Sequence, residues 1–248
     1  MSSRFPSIVL AGMVALPALS GCNATETGNP VTQQTLALTA RSSSDEVATG
    51  DGSAAPLRVR SAWILLGDMR FVKSSDCDRG AGTRLDIEGP IAIELVGGRD
   101  PLELELEAAS YCRVRVRLEK AKNVAGAPAE LDDHSIVLRG TRADHTEFVV
   151  SSRRNYDLEL RARADGFDLP NARGAMILGF DLATWLGGVE LESAPASSNG
   201  TIEIDENGDP TRLDAFEEDV KQAMELFRDR DRDSQLDDDE LDDPLAGG

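Results

Sequence analysis

Histidine is almost missing from this 248-residue chain: His134 and His145 are its only two. Neither is accompanied by a Gly-x-Ser-x-Gly elbow, a P-loop or a His-Glu-x-x-His helix, so the sequence offers no recognisable hydrolytic or nucleotide-binding constellation. His134 follows Asp132 and Asp133 in what reads as a turn, where an imidazole ordinarily faces solvent. Carboxylate pairs drawn from Asp76, Asp78, Asp132 and Asp133 carry little information among 45 acids. The chain is therefore expected not to be an enzyme, with an envelope hydrolase of unrecognised site as the alternative. Cysteine is scarce too. Cys22, Cys77 and Cys112 form no CxxC pair and no Cys/His cluster, which removes support for zinc and for thiol redox chemistry. Basic residues number 26 against 45 acids, a formal net charge of −19, and phosphates would repel such a chain, so nucleic acid is excluded as a partner. The apolar run from Ile8 to Leu16 is too short to span a bilayer.

That short run has a context. Arg4 precedes it and Leu19-Ser20-Gly21-Cys22 closes it. This resembles the signal peptide and lipobox of bacterial lipoproteins; the alternative is an ordinary secretory signal with a chance cysteine. The resemblance implies cleavage after residue 21, a diacylglycerol on the Cys22 sulfur and acylation of its new amino group. Several acyl chains anchor a protein stably where one is marginal. Asn23 in second place, rather than Asp, favours the outer membrane in such lipoproteins. The stretch that opens Cys22-Asn23-Ala24-Thr25 also resembles the start of uncharacterised lipoproteins of myxobacteria and their relatives. With Cys22 lipidated, Cys77 and Cys112 are left as an even pair in an oxidising space, which favours a disulfide over two buried thiols.

Residues 22–56, rich in Thr, Ser, Ala and Gly, suit a tether, within which Val31 to Ala40 has the composition of an edge strand. From Leu57 to Ile204 the apolar period is two. Leu57, Val59, Trp63 and Leu65 alternate with polar or small residues, and Met69 and Phe71 continue the series past Gly67-Asp68. Ile91 to Leu95, Leu102 to Leu106, Ile136 to Leu138, Phe148 to Val150, Tyr156 to Ala162 and Ala175 to Asp181 are further strands. In Cys112 to Leu118 the apolar residues face one way and Arg113, Arg115 and Arg117 the other, so that Glu103, Glu105 and Glu107 are expected as cross-strand partners. Asp181 is placed to cap a short helix through Trp185. Strands recurring every ten to fifteen residues without helical patterns between them predict a mainly β fold, an antiparallel β-sandwich. The segments Gly89 to Leu95, Ala109 to Arg115 and Gly179 to Leu182 resemble a family of uncharacterised bacterial lipoprotein domains. That resemblance implies a transthyretin-like or immunoglobulin-like sandwich and names no substrate.

After Ile204 the pattern changes. Between Glu203 and Asp243 there are 18 acids and five bases, the most acidic part of the chain. Leu213, Phe216, Val220, Met224 and Phe227 recur at three- and four-residue steps, which predicts one α-helix begun by Asp209-Pro210 and running into Asp229. There Asp229, Asp231, Asp233, Gln235, Asp237 and Glu240 occupy positions 1, 3, 5, 7, 9 and 12 of a twelve-residue loop. Ca²⁺ takes six to eight oxygens, and this spacing supplies carboxylates at 1, 3 and 5, a backbone carbonyl at 7 and a bidentate Glu at 12. The loop resembles an EF-hand, with aliphatic Leu236 at position 8. Its departure is Ser234 at position 6, where the turn normally takes Gly. No second hand accompanies it, and eight residues containing Pro244 leave little room for an exit helix. The alternative is an acidic solvated tail of accidental spacing.

The sequence thus divides into a signal peptide (1–21), a lipidated tether with a possible first strand (22–56), a β domain (57–204) and an acidic helix with a calcium loop (205–248). It predicts a non-enzymatic envelope module anchored by Cys22 and holding one Ca²⁺, either structural or adhesive, whose partner is an envelope protein or glycan.

Overall fold

A computed structural model describes residues 30–40, 46–47, 57–78, 83–85, 90–97, 101–163, 165–169 and 173–248. Residues 1–29, with the signal segment and Cys22, lie outside the described residues, as does most of the stretch between residues 41 and 56. The fold is mainly β. In chain order the strands are β1 (Val31–Ala40), β2 (Glu46–Val47), β3 (Leu57–Lys73), β4 (Thr83–Leu85), β5 (Ile91–Glu94), β6 (Leu102–Glu107), β7 (Ser110–Leu118), β8 (Ile136–Thr141), β9 (Glu147–Ser152), β10 (Tyr156–Ala162), β11 (Phe167–Asp168), β12 (Gly174–Phe180), β13 (Ile202–Ile204), β14 (Met224–Arg228) and β15 (Ala246–Gly247). Helix α1 (Leu182–Gly187) follows β12, α2 (Pro210–Val220) precedes β14, and the single turn α3 (Asp238–Leu241) precedes β15. Both sequence-expected caps are made. Asp181 accepts the Ala183 and Thr184 N–H groups at 3.0 and 3.1 Å, and Asp209 accepts that of Arg212 at 3.1 Å.

All the strands belong to one curled, mixed sheet in the order β13-β9-β8-β3-β7-β10-β15-β14-β12-β1-β6, with β2, β4 and β5 on β3 and β11 on β7. The 17-residue β3 is its hinge line. Its first half pairs with β8 and its second with β7, and the register shifts between Leu66 and Asp68, so the extra residue is Gly67. A bulge increases local twist and lets one strand serve two parts of a sheet. The far side of the curl is joined by backbone: Ala40 N–H donates to the Leu95 carbonyl at 2.9 Å, and Leu95 N–H donates to Ala62 at 2.8 Å. Side chains from both halves, among them Leu36, Val59, Val114, Leu138, Leu178 and Phe216, fill one continuous core.

Two pairings depart from the antiparallel sandwich: β1 runs parallel to β12, and β13 parallel to β9. The strand Val31–Ala40 is also no edge. It lies between β12 and β6, and Leu36, Ala37 and Leu38 are all buried, as a strand covered on both faces requires. The basic face of β7 exists, but its acids come from β10, where Glu159 meets Arg115 at 2.9 Å and Arg113 at 3.6 Å. Strand β6 pairs with β1 instead, so Glu103, Glu105 and Glu107 are not opposite it. Cys77 and Cys112 are joined in a disulfide, Cα atoms 6.3 Å apart, tying the end of β3 to its neighbour β7.

Candidate metal centre

The segment expected to enter the acidic loop as one helix is divided. Helix α2 stops at Val220, and Met224 and Phe227 belong to strand β14. Steps of three and four residues fit either reading, and here the ladder with β12, from Met176↔Arg228 to Phe180↔Met224, prevails over helix continuation. The loop is therefore reached from a strand and left through the one-turn α3.

Its two ends are fixed to the same sheet. Asp229 N–H donates to the Ala175 carbonyl of β12 at 3.1 Å. Beyond α3, Leu245 N–H donates to Leu226 at 2.7 Å, and β15 then lies between β14 and β10. Between these ends the loop folds back over the outer face of the sheet. Ala37, Ile177 and Phe227 share one register across β1, β12 and β14, and Leu236 covers that row. Gly179 leaves the room: a Cβ there would stand 3.2 Å from the Leu236 side chain.

Within the loop each odd acid organises backbone. Asp229, 5% exposed, accepts the N–H of Arg232 at 2.5 Å on one oxygen and that of Ser234 at 3.1 Å on the other. Asp231 accepts Asp233 N–H at 3.2 Å, and Asp233 accepts Gln235 N–H at 2.7 Å. Ser234 has φ of 65°, the left-handed turn that position 6 was expected to need, and Arg232 has φ of 67°. The outcome is convergence: carboxylate oxygens from Asp229, Asp231 and Asp233 lie within 4.8 Å of one another. Oxygens on opposite sides of a Ca²⁺ stand about 5 Å apart, twice the Ca–O distance, so the donor set and its span suit that ion.

The other three expected ligands are placed differently. Gln235 turns its side-chain amide to Asp233 at 3.2 Å, leaving its carbonyl as the position-7 donor. Asp237 and Glu240 lie outside the three-carboxylate cluster. Glu240 is buried and braces the loop, accepting Arg230 N–H at 2.7 Å and Asp237 N–H at 3.3 Å. Burial pushes the Asp229 carboxyl above its ordinary range, and Asp231 and Asp233 add to the push against two backbone N–H bonds. Asp237 is raised as well, by desolvation and by the charges of Asp233, Asp231, Asp239 and Asp238. A divalent cation would relieve both.

The histidines stand elsewhere. His134 Nδ1 lies 2.9 Å from the Asp132 carbonyl oxygen and Nε2 3.3 Å from Arg153, while exposed His145 occupies a tight turn with φ of 66°. What the sequence reasoning passed over is the alternation Arg228-Asp229-Arg230-Asp231-Arg232-Asp233. With the acids turned to one centre, the arginines are left to its flank. No helix among the described residues is long and apolar enough to cross a membrane. No protein-family model matches the chain, and no curated protein matches it in sequence. Among solved structures, MbnP from Methylosinus trichosporium is similar over 67% of this chain and 79% of that one, at 10% identity and a TM-score of 0.39, a level from which nothing is transferred.

Proposed function

We propose that this chain is a non-enzymatic protein of the bacterial cell envelope, anchored to the outer membrane through lipidated Cys22, whose C-terminal loop binds one Ca²⁺ as a structural staple. Its strands and connecting loops form a module for an envelope protein or glycan. The observation that carries the calcium reading is the convergence of Asp229, Asp231 and Asp233 in a loop that lies across three strands. The metal's part is charge compensation: it holds mutually repelling carboxylates together and so keeps Leu236 on the row Ala37, Ile177 and Phe227. With no second hand and only a one-turn exit helix among the described residues, nothing supports the opening of an apolar groove, which is how sensor hands work. The lipobox-like Leu19 to Cys22 supports the anchor, and the Cys77–Cys112 bridge accords with an oxidising compartment.

Calorimetric titration of the purified full chain with CaCl₂ tests the metal. A saturable heat that disappears in Asp231→Ala is expected, and no heat in the unmutated protein would overturn the site. Mass spectrometry of the protein taken from its membrane tests the anchor, since an unmodified Cys22 rules it out.

A further inference from the structure

On the flank of the acidic loop lies a pocket of about 290 Å³ whose walls are of two kinds. Its rim carries Arg173, Arg228, Arg230 and Arg232 against the single acid Asp229. Its floor is apolar and well buried, with Met176 at 2%, Leu169 at 5% and Ala175 at 7% exposure. Gly174 leaves room for the Gln34 side chain, which also lines the pocket.

The four guanidiniums are not equally neutralised. Arg230 pairs with Asp243 at 2.9 Å, and Arg173 meets Glu103 at 3.4 Å. Arg228 and Arg232 donate only to carbonyls, those of Asp168 at 3.2 Å and Arg173 at 3.1 Å, with no carboxylate partner among the described residues. In a chain of net charge −19, two arginines that line one pocket with no carboxylate partner among the described residues are conspicuous. A guanidinium keeps its charge at any physiological pH, and its planar fork fits an oxyanion bidentately.

We propose that this pocket binds a small organic carboxylate, its head held by Arg228 and Arg232 and its short apolar body laid over Met176 and Leu169. The floor is what selects an organic acid over inorganic phosphate, which would leave that apolar surface wet. The volume is at the low end for ligand pockets and limits the body to a few carbons. The floor belongs to β12 and Leu169, whereas Arg232 lies within the acidic loop and Asp229 is common to both sites.

The test is an NMR titration of the full chain with sodium hexanoate, hexylamine and inorganic phosphate, in calcium-free buffer. Hexanoate is expected to shift the Met176 methyl signal saturably, with hexylamine and phosphate at least about tenfold weaker, since the first carries the opposite charge and the second lacks the body. Arg228→Ala with Arg232→Ala should weaken hexanoate by about tenfold or more, while Arg60→Ala, remote from the pocket, leaves it unchanged. The Met176 signal needs no variant, so the proposal is decided even if the double variant misfolds. An unshifted Met176, equal binding of hexylamine, equal binding of phosphate, or full affinity in a folded double variant would each overturn it.

Discussion

Replacing Asp231 by Ala separates the metal from the fold. The side chain is exposed and its carboxylate accepts a single N–H, from Asp233 at 3.2 Å, so without calcium the substitution should change stability by no more than about 0.5 kcal/mol. With calcium the two proteins should part. A lone loop with a non-Gly sixth residue belongs with weak extracellular sites, whose dissociation constants run from about 0.1 to 1 mM. At about 10 mM free Ca²⁺, binding to the native state alone adds RT ln(1 + [L]/Kd), roughly 1.4 to 2.7 kcal/mol. For a chain of this size each kcal/mol moves Tm by about 2 to 4 °C, so the unmutated protein should gain about 3 to 11 °C. Differential scanning calorimetry in EDTA and in calcium makes the comparison, with magnesium as a control because it demands a tighter octahedral shell than this loop offers. Six melting curves result, and only unmutated protein in calcium should stand apart. A calcium shift of the same size in Asp231→Ala, or none in either, would refute the argument that these carboxylates share one ion.

Calcium affinity should fall on acidification, and earlier than ordinary aspartates would dictate. Asp229 and Asp237 are raised above the usual value of 3.8, so they take up protons and release metal at a pH where exposed carboxylates are still charged. Without metal the sign reverses: a raised native pKa favours the folded state below 3.8 and loses that advantage as pH rises through the raised values, which pH-dependent melting in EDTA reads. Ser234→Gly should raise Tm, because it removes a left-handed strain of about 1 to 2 kcal/mol and keeps the N–H bond to Asp229, less part of the gain lost to chain entropy; an unchanged or lower Tm would argue against that turn. Cys77→Ser with Cys112→Ser opens a bridge spanning 35 residues and should cost about 2 to 5 kcal/mol, seen as a lower denaturant midpoint. Leu236→Ala should weaken calcium binding without touching a ligand, since the loop loses its hold on Ala37, Ile177 and Phe227, and calorimetry of that variant checks it.

Period-two alternation located most strands between Leu57 and Asp181 because each buries alternate residues, and the two capped helices began where Asp181 and Asp209 placed them. Alternation carries no information about neighbours. Nothing local distinguishes a β1 that runs parallel to β12, more than 130 residues away, from an antiparallel edge, although its consecutive buried Leu36, Ala37 and Leu38 were a sign of cover on both faces. The same gap misplaced Glu103, Glu105 and Glu107, since a two-residue turn between β6 and β7 suggests a hairpin that the sheet does not make.

At the loop, the convergence of Asp229, Asp231 and Asp233 was legible because alternate residues of a tight turn meet locally, whereas the places of Asp237 and Glu240 and the elements on either side were not. Met224 and Phe227 continue the helical stripe of Leu213, Phe216 and Val220, yet Phe227 faces outward, onto the side of the sheet opposite Leu226. A helix needs one apolar stripe, and a strand buried on both faces needs two, so Met224 and Leu226 inside with Phe227 outside marks the strand. Leu236 and the partly buried Leu241, packed with Ala37 and Ile177, give Phe227 a reason to be apolar on that side. The loop and its incoming strand are thus one packing unit, with Leu236 turned onto the sheet over Ala37, Ile177 and Phe227.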